Sequence, residues 1–145
     1  MHAAEQKEER NCHIKSHFHV AFPFFFMKIL KLKENRDFRR VYNKGKSYVS
    51  PYFVVYINKN RFSDVRLGIT AGKKIGNAVK RNRAKRVITA AFSTICPRII
   101  TGYDFVIVAR TKILTVKSTE VTSSLLKILK SIGMLENEEN EKNLD

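Results

Sequence analysis

The stretch 104–109, which reads Asp-Phe-Val-Ile-Val-Ala, constrains the fold more than any other part of this chain. Its apolar and mostly β-branched residues follow one another almost without interruption, as is typical of an internal strand covered on both faces. Residues 52–57 are equally rich in β-branched and aromatic side chains, and residues 66–71 carry apolar residues at every second position. The sequence therefore predicts a sheet of at least three strands that helices must cover.

Three segments with helical periodicity supply that cover. Residues 34–44 repeat Phe38, Val41 and Tyr42 at helical spacing between charged residues, and Gly45 is the predicted stop. A second helix is predicted to begin after Asn77 as N-cap and to stop at Pro97, and a third covers 118–132 and stops at Gly133. The predicted order is α-β-β-α-β-α, and the predicted fold class is an α/β (α+β) two-layer sandwich.

The composition divides the chain into three parts. Residues 27–133 are expected to form one α/β domain. Residues 1–26 are predicted to be an N-terminal extension that is disordered or reflects a misassigned start, with Met27 as the natural initiator. Residues 134–145 hold five acids and one lysine, and they are expected to be an acidic disordered tail.

Charge is concentrated in the middle part. Residues 27–133 hold 24 basic and five acidic side chains, a net charge of +19. A polyanionic partner would relieve the repulsion among these charges, so nucleic acid is the leading candidate. An anionic membrane is the rival, but no lipid-facing stripe or anchor is evident and the longest apolar run is too short to span a bilayer. With only Cys12 and Cys96 and no disulfide or zinc spacing, the expected location is the cytoplasm.

The most informative segment runs from residue 73 to residue 86. Seven of its fourteen residues are basic and none is acidic, whereas an ordinary solvated helix face mixes both signs. Phosphate binding is therefore predicted, helped by the N–H groups and dipole of the helix N-terminus. The candidate RNA-binding residues are Lys73, Lys74, Asn77, Lys80, Arg81, Asn82, Arg83, Lys85 and Arg86.

Around this segment the chain resembles the protein subunit of bacterial ribonuclease P. The run Gly-Ile-Thr-Ala-Gly-Lys-Lys-Ile-Gly-Asn-Ala-Val-Lys-Arg-Asn-Arg-Ala-Lys-Arg is similar to that family's signature, and Arg81-Asn82-Arg83 matches its arginine-asparagine-arginine motif. The likeness extends over roughly 27–133, through residues 34–38 and 44–47 before the signature and through 103–110 after it. The extension and the tail lie outside the family pattern.

The resemblance implies a ribonucleoprotein endonuclease that removes the 5′ leader of precursor tRNA. In that family the catalytic subunit is an RNA, which positions the Mg²⁺ ions that the holoenzyme requires, and the protein assists. The residues agree, because all four histidines lie in 1–26 and the five acids of 27–133 are spread along the sequence. No catalytic residue, metal ligand or protein-bound cofactor is therefore expected, and no obligate protein partner is evident. The implied partners are the catalytic RNA and precursor tRNA.

The resemblance also implies two contact surfaces. The basic motif, carried by a left-handed βαβ crossover, would face the catalytic RNA, and Phe38, Tyr42 and Tyr56 would line a cleft for the single-stranded leader. From the spacing alone, core packing is the better explanation of Phe38 and Tyr42. The resemblance favours partial exposure instead, with Phe38 shared between core and cleft. The alternative function is a structural ribosomal-type RNA-binding protein, which would need no aromatic cleft. A DNA-binding regulator fits poorly, because the second helix has few base-reading residues.

Overall fold

Five strands form one mixed sheet in a computed structural model that describes residues 29–136. Along the chain the elements are β1 (Ile29–Lys31), α1 (Asn35–Lys44), β2 (Lys46–Val49), β3 (Phe53–Lys59), β4 (Val65–Thr70), α2 (Ala78–Ile95), β5 (Tyr103–Ala109) and α3 (Ser118–Ser131). The spatial order of the strands is β1-β4-β5-β3-β2. The α+β class predicted from the sequence is confirmed.

β5 is the central strand, as its apolar run predicts. It pairs antiparallel with β3 over its whole length and in parallel with β4 over residues 104–108. Phe105 and Ile107 point to one face of the sheet and Val106 to the other, and all three are buried. Both faces of β5 are therefore covered, which explains why this segment lacks the polar alternation of a half-exposed strand.

The helices divide between the two faces of the sheet. α2 and α3 pack on one face, where Ile88, Phe92 and Leu125 join Phe53 and Phe105 in the main core. α1 lies on the opposite face, where Val41 packs with Leu32 and Val106 in a smaller core. Because α1 is a single short helix, part of that second face stays open.

The predicted element order omits two edge strands. β1 and β2 make the observed order β-α-β-β-β-α-β-α in place of α-β-β-α-β-α. β1 has three residues and β2 has the polar sequence Lys-Ser-Tyr-Val, so neither carries the apolar pattern of a strand. Both exist because β4 and β3 offer them a partner: Ile29 pairs with Val65, and Val49 pairs with Val54.

Element ends follow local chemistry with one exception. The Asn77 side chain accepts a hydrogen bond from the Lys80 N–H at 3.0 Å, so the predicted N-cap is confirmed. Gly133 ends α3 with a φ of 70°. Gly45 is different, because its φ of −77° is extended and needs no glycine. A Cβ there would instead collide with the Val41 carbonyl and approach the Ile57 carbonyl to 3.0 Å.

The connection from β4 to β5 passes through α2. β4 and β5 are adjacent, parallel and joined through α2, which makes a βαβ unit. The left-handedness of this crossover stays a prediction.

The folded part passes residue 133, because Met134 is buried and Leu135 bridges to Ile99. The predictions for 1–26 and for the tail beyond residue 136 lie outside the described residues. Among residues 29–136 no helix is long and apolar enough to cross a membrane.

Candidate nucleic-acid interface

The basic segment forms a loop and the first half of α2. Lys73–Ile75 make one 3₁₀ turn, in which the buried Ile75 anchors the loop to the core. Gly76 then has a φ of 133°, and a Cβ there would lie 2.7 Å from the Lys80 side chain. Glycine at this position therefore lets the chain turn sharply into α2 and lets Lys80 lie against its backbone.

The structure brings all nine predicted RNA-binding residues to one end of α2. Eight of them are exposed, and Arg81 is half-buried. In the described part of the chain, none of the seven cations forms an ion pair with a carboxylate. The first turn of α2 contains no acid, so the positive end of the helix dipole adds to the side-chain charge. This surface, which we call the α2 surface, can hold several phosphates at once.

Four of the five acids of the domain are engaged with other parts of the structure. Asp37 and Asp104 both contact Arg66, Glu34 pairs with Arg36, and Glu120 lies in the first turn of α3. Backbone hydrogen bonds, its own and that from the Lys117 N–H, lower the pKa of Glu120 below its ordinary value. Within residues 29–136 no three acidic, histidine or cysteine side chains lie close enough to hold a metal ion.

Tyr42 and Tyr56 form an edge-to-face pair on the α1 side of the sheet. Their ring centroids are 4.9 Å apart at an interplanar angle of 84°. The Tyr42 hydroxyl lies 3.1 Å from the hydroxyl of Thr70, which ends β4. Both rings are half-buried, because they pack against the small core of Leu32, Val41 and Val106 and keep part of their surface exposed to solvent.

An open row of side chains runs beside this tyrosine pair. Val49 pairs with Val54, Val54 with Val108, and Val108 with Thr70, so the four lie in one line across the sheet. Because Val54 and Tyr56 are two residues apart, the row shares the α1 face. Val49 is 68% exposed, and Val54 and Val108 are half-buried. We call the row together with Tyr42 and Tyr56 the aromatic cleft.

The aromatic cleft leads to the basic loop. Thr70, at one end of the row, is separated from Lys73 only by Ala71 and Gly72. An RNA strand lying along the cleft would therefore pass from apolar contacts to cations within about 10 Å, the length of three extended residues. The sequence alone did not single out Val49, Val54 or Val108; the available signal was the shared face of Val54 and Tyr56.

Phe38 belongs to the same small core but is seated differently from the two tyrosines. A Cβ on Gly68 would lie 2.6 Å from the Phe38 ring, so the ring rests directly on the β4 backbone. Phe38 is half-buried, as expected for a residue shared between core and surface. It borders a groove at the free edge of β4, whereas Tyr42 and Tyr56 border the open row.

A buried ion pair lies on the same face of the sheet, at the opposite end of β4 from the open row. Arg66 donates to both carboxylate oxygens of Asp104, from Nε at 2.7 Å and from Nη2 at 2.6 Å. Asp37 lies 3.6 Å from the same guanidinium, and Asn60 donates to Asp104 at 2.8 Å. The hydrogen bond to Asp104 raises the pKa of Arg66 above its ordinary value, against the opposing effect of burial. The sequence analysis missed this cluster, which joins two of the five acids it treated as separate.

Comparisons with known proteins agree on one family. The family model described as Ribonuclease P matches residues 26–133. The ribonuclease P protein component of Clostridium beijerinckii is 39% identical over 77% of this chain and 94% of its own length. That of Bacillus cereus strain B4264 is 41% identical over 72% of this chain and 91% of its own.

Solved structures give the same result. The RNase P protein of Staphylococcus aureus superposes with a TM-score of 0.66 at 35% identity, over 75% of this chain and all of the other. The RNase P protein of Thermotoga maritima superposes with a TM-score of 0.63 at 34% identity, over 74% of this chain and 98% of the other.

Proposed function

This chain belongs to the ribonuclease P protein family, and we propose that it binds the catalytic RNA through the α2 surface and the leader of precursor tRNA through the aromatic cleft. Family membership makes it a subunit of the tRNA-processing ribonuclease P. The observation that carries the finer proposal is the group of seven cations in the loop before α2 and in its first half. None of the seven is paired with an acid among residues 29–136. Binding of a polyanion relieves the repulsion among these charges and releases counterions, so this surface favours contacts with phosphates.

We further propose that hydrolysis of the phosphodiester belongs to the complex and that the RNA supplies the reacting groups and the Mg²⁺ sites. In this proposal the protein offsets the repulsion between catalytic RNA and precursor tRNA and holds the leader. Arg66 engages Asp37 and Asp104, so these two carboxylates are committed to an ion-pair cluster rather than free to act as a general base. The proposed location of this complex is the cytoplasm, because the two cysteines of the sequence, Cys12 and Cys96, follow no disulfide or zinc spacing.

The test of this division is cleavage of precursor tRNA at varied Mg²⁺. Because protein cations and Mg²⁺ both screen phosphate repulsion, the protein should accelerate cleavage most at low Mg²⁺ and progressively less as Mg²⁺ rises. Initial rates with catalytic RNA, with and without protein, measure this directly. Purified protein freed of RNA should produce no cleavage at any Mg²⁺ concentration, and cleavage in that sample would refute the division.

The cleft should distinguish precursor from mature tRNA. Tyr56→Ala removes half of the aromatic pair, so binding of precursor tRNA to the holoenzyme should weaken about 5- to 150-fold while mature tRNA, which lacks the leader, binds unchanged. Tyr48→Ala is a matched control, because Tyr48 is a half-buried tyrosine that packs on the opposite face of the sheet. Tyr56→Phe and Tyr42→Phe should have smaller effects, since each removes only a hydroxyl.

Folding must be measured alongside, by circular dichroism, because truncation of a packed aromatic ring also costs stability. The leader assignment fails if a folded Tyr56→Ala protein weakens both tRNAs equally. In that case the aromatic cleft would be packing alone, and the role of a structural, ribosomal-type RNA-binding protein would account better for the basic surface.

A further inference from the structure

A groove of about 310 Å³ lies at the free edge of β4, between α1 and α2. β1 covers the first half of that edge and ends opposite Leu67. Beyond that point the groove is floored by Gly68 and Ile69 and walled by the Phe38 ring, with Thr89 and Ser93 of α2 on the other side. It is thus a slot with apolar walls and hydroxyl groups along one rim.

The floor of the groove carries unused main-chain groups. The Leu32 N–H donates to the Leu67 carbonyl at 3.0 Å, so Leu67 directs its polar groups toward β1. Backbone groups alternate sides along a strand, which directs the N–H and C=O of Ile69 to the same edge. No strand among residues 29–136 pairs with β4 there. Ile69 therefore presents one donor and one acceptor side by side to whatever enters the groove.

The charge of the residues that line the groove favours one kind of occupant. Among residues 29–136, the titratable residues that line the groove are Lys31 and Lys85, both exposed, and no acid of this range lines it. An apolar slot with a donor–acceptor pair at its floor and cations at its mouth suits a nucleobase whose own phosphates stay outside. A peptide strand would use the same main-chain edge but would gain from the two lysines only if it placed acidic side chains at the mouth, whereas every nucleotide carries a phosphate.

The groove also continues the α2 surface. Lys85 and Thr89 line both the groove and a shallow depression formed with Asn82, Arg86 and Ala90. An RNA backbone bound along the exposed cations of α2 therefore passes the mouth of the groove. The open row of the aromatic cleft lies on the other side of the Phe38–Gly68 contact, so the groove has a separate entrance.

We propose that this groove receives one unstacked nucleobase of the catalytic RNA, with its sugar–phosphate held by Lys31 and Lys85. The inference rests on the proposed function, because it requires that RNA to lie along α2. The base would insert between Phe38 and the α2 rim and pair through one edge with the main chain of Ile69. The protein would thereby read a feature of RNA shape, an unpaired nucleotide at a fixed distance from the phosphates on α2.

Filling the groove tests the proposal without removing any charge. Thr89→Trp places a bulky side chain at the rim, and Thr94→Trp is the matched control. Both threonines are exposed, both lie on α2, and each hydroxyl donates to the carbonyl four residues earlier, at 2.7 Å for Thr89 and 2.9 Å for Thr94. Thr89→Trp should weaken binding of the catalytic RNA about tenfold, the usual effect of removing one stacked base, and Thr94→Trp should leave it unchanged.

Base-specific chemical probing of the catalytic RNA supplies a second readout that needs no variant. Wild-type protein should protect the base of at least one unpaired nucleotide, and that protection should persist with Thr94→Trp and vanish with Thr89→Trp. Hydroxyl-radical cleavage of the same complexes reports the sugar–phosphate backbone, whose protection along α2 should remain in all three proteins. Absence of any such protected base overturns the proposal. Protection that falls in the leader of precursor tRNA, or that survives Thr89→Trp, also overturns it. If the wild-type protein gives no backbone protection at all, the proposed function itself is overturned.

Discussion

Replacing Arg81, Arg83 and Lys85 together by alanine is expected to weaken binding of the catalytic RNA about 100-fold at moderate salt. Arg83 and Lys85 are exposed, Arg81 is half-buried, and none of the three has an acidic partner among residues 29–136. Each phosphate that the variant no longer neutralises should reduce the slope of log K against log salt by about 0.7–0.9. The slope should therefore fall by about two units or more, and the affinity gap between wild type and variant should narrow as salt rises.

The control is a triple variant with the same loss of charge on another face. Lys112, Lys127 and Lys130 are exposed residues in and before α3, and their replacement by alanine should change the slope little. Melting temperatures of both triple variants should stay close to wild type, because the buried face of α2 is formed by Ala84, Ile88 and Ala91. An unchanged slope in the α2 variant, with the fold intact, would place the RNA contacts elsewhere.

What the sequence predicted well depends on short-range chemistry. The start of α2 is specified by Asn77 within three residues of its bonding partner, so it can be read locally. The apolar run of β5 reports its own burial, because a strand covered on both faces has no polar positions. The nine RNA-binding candidates could be grouped in advance because they lie within fourteen consecutive residues.

What it missed depends on contacts between distant residues. Arg66 and Asp104 are 38 positions apart and meet only because β4 and β5 pair with these two residues in register. The open row needs three such registers to bring Val49 into line with Thr70. β1 and β2 have only three and four residues, too few to show a strand pattern of their own, and they form at edges that already exist. Gly45 and Gly68 could be seen as glycines but not as the points where a carbonyl and the Phe38 ring approach most closely.

The Arg66–Asp104 pair should be the most sensitive point of the fold. Asp104 is 1% exposed and Arg66 keeps 14% of its side chain exposed, so Asp104→Asn leaves a nearly buried guanidinium without its main counter-charge. Removal of one partner of a buried pair typically costs about 3–5 kcal/mol, and we expect about 3 kcal/mol because Asp37 remains 3.6 Å away. For a domain of this size the melting temperature should fall by about 10–20 °C.

Two further variants separate the ion pair from simple loss of a carboxylate. Glu34→Gln removes one partner of the exposed pair with Arg36 and should cost less than about 1 kcal/mol. The double variant Arg66→Met/Asp104→Leu removes both charges and should recover most of the stability that Asp104→Asn loses, because an apolar pair needs no solvation. Thermal unfolding followed by circular dichroism measures all three. A double variant no more stable than Asp104→Asn would mean that the hydrogen bond from Asn60 and the ion pair with Asp37, rather than the buried charge of Arg66, hold this end of the sheet together. Since none of these residues lies on the α2 surface, affinity for the catalytic RNA should stay at the wild-type value wherever the protein is folded.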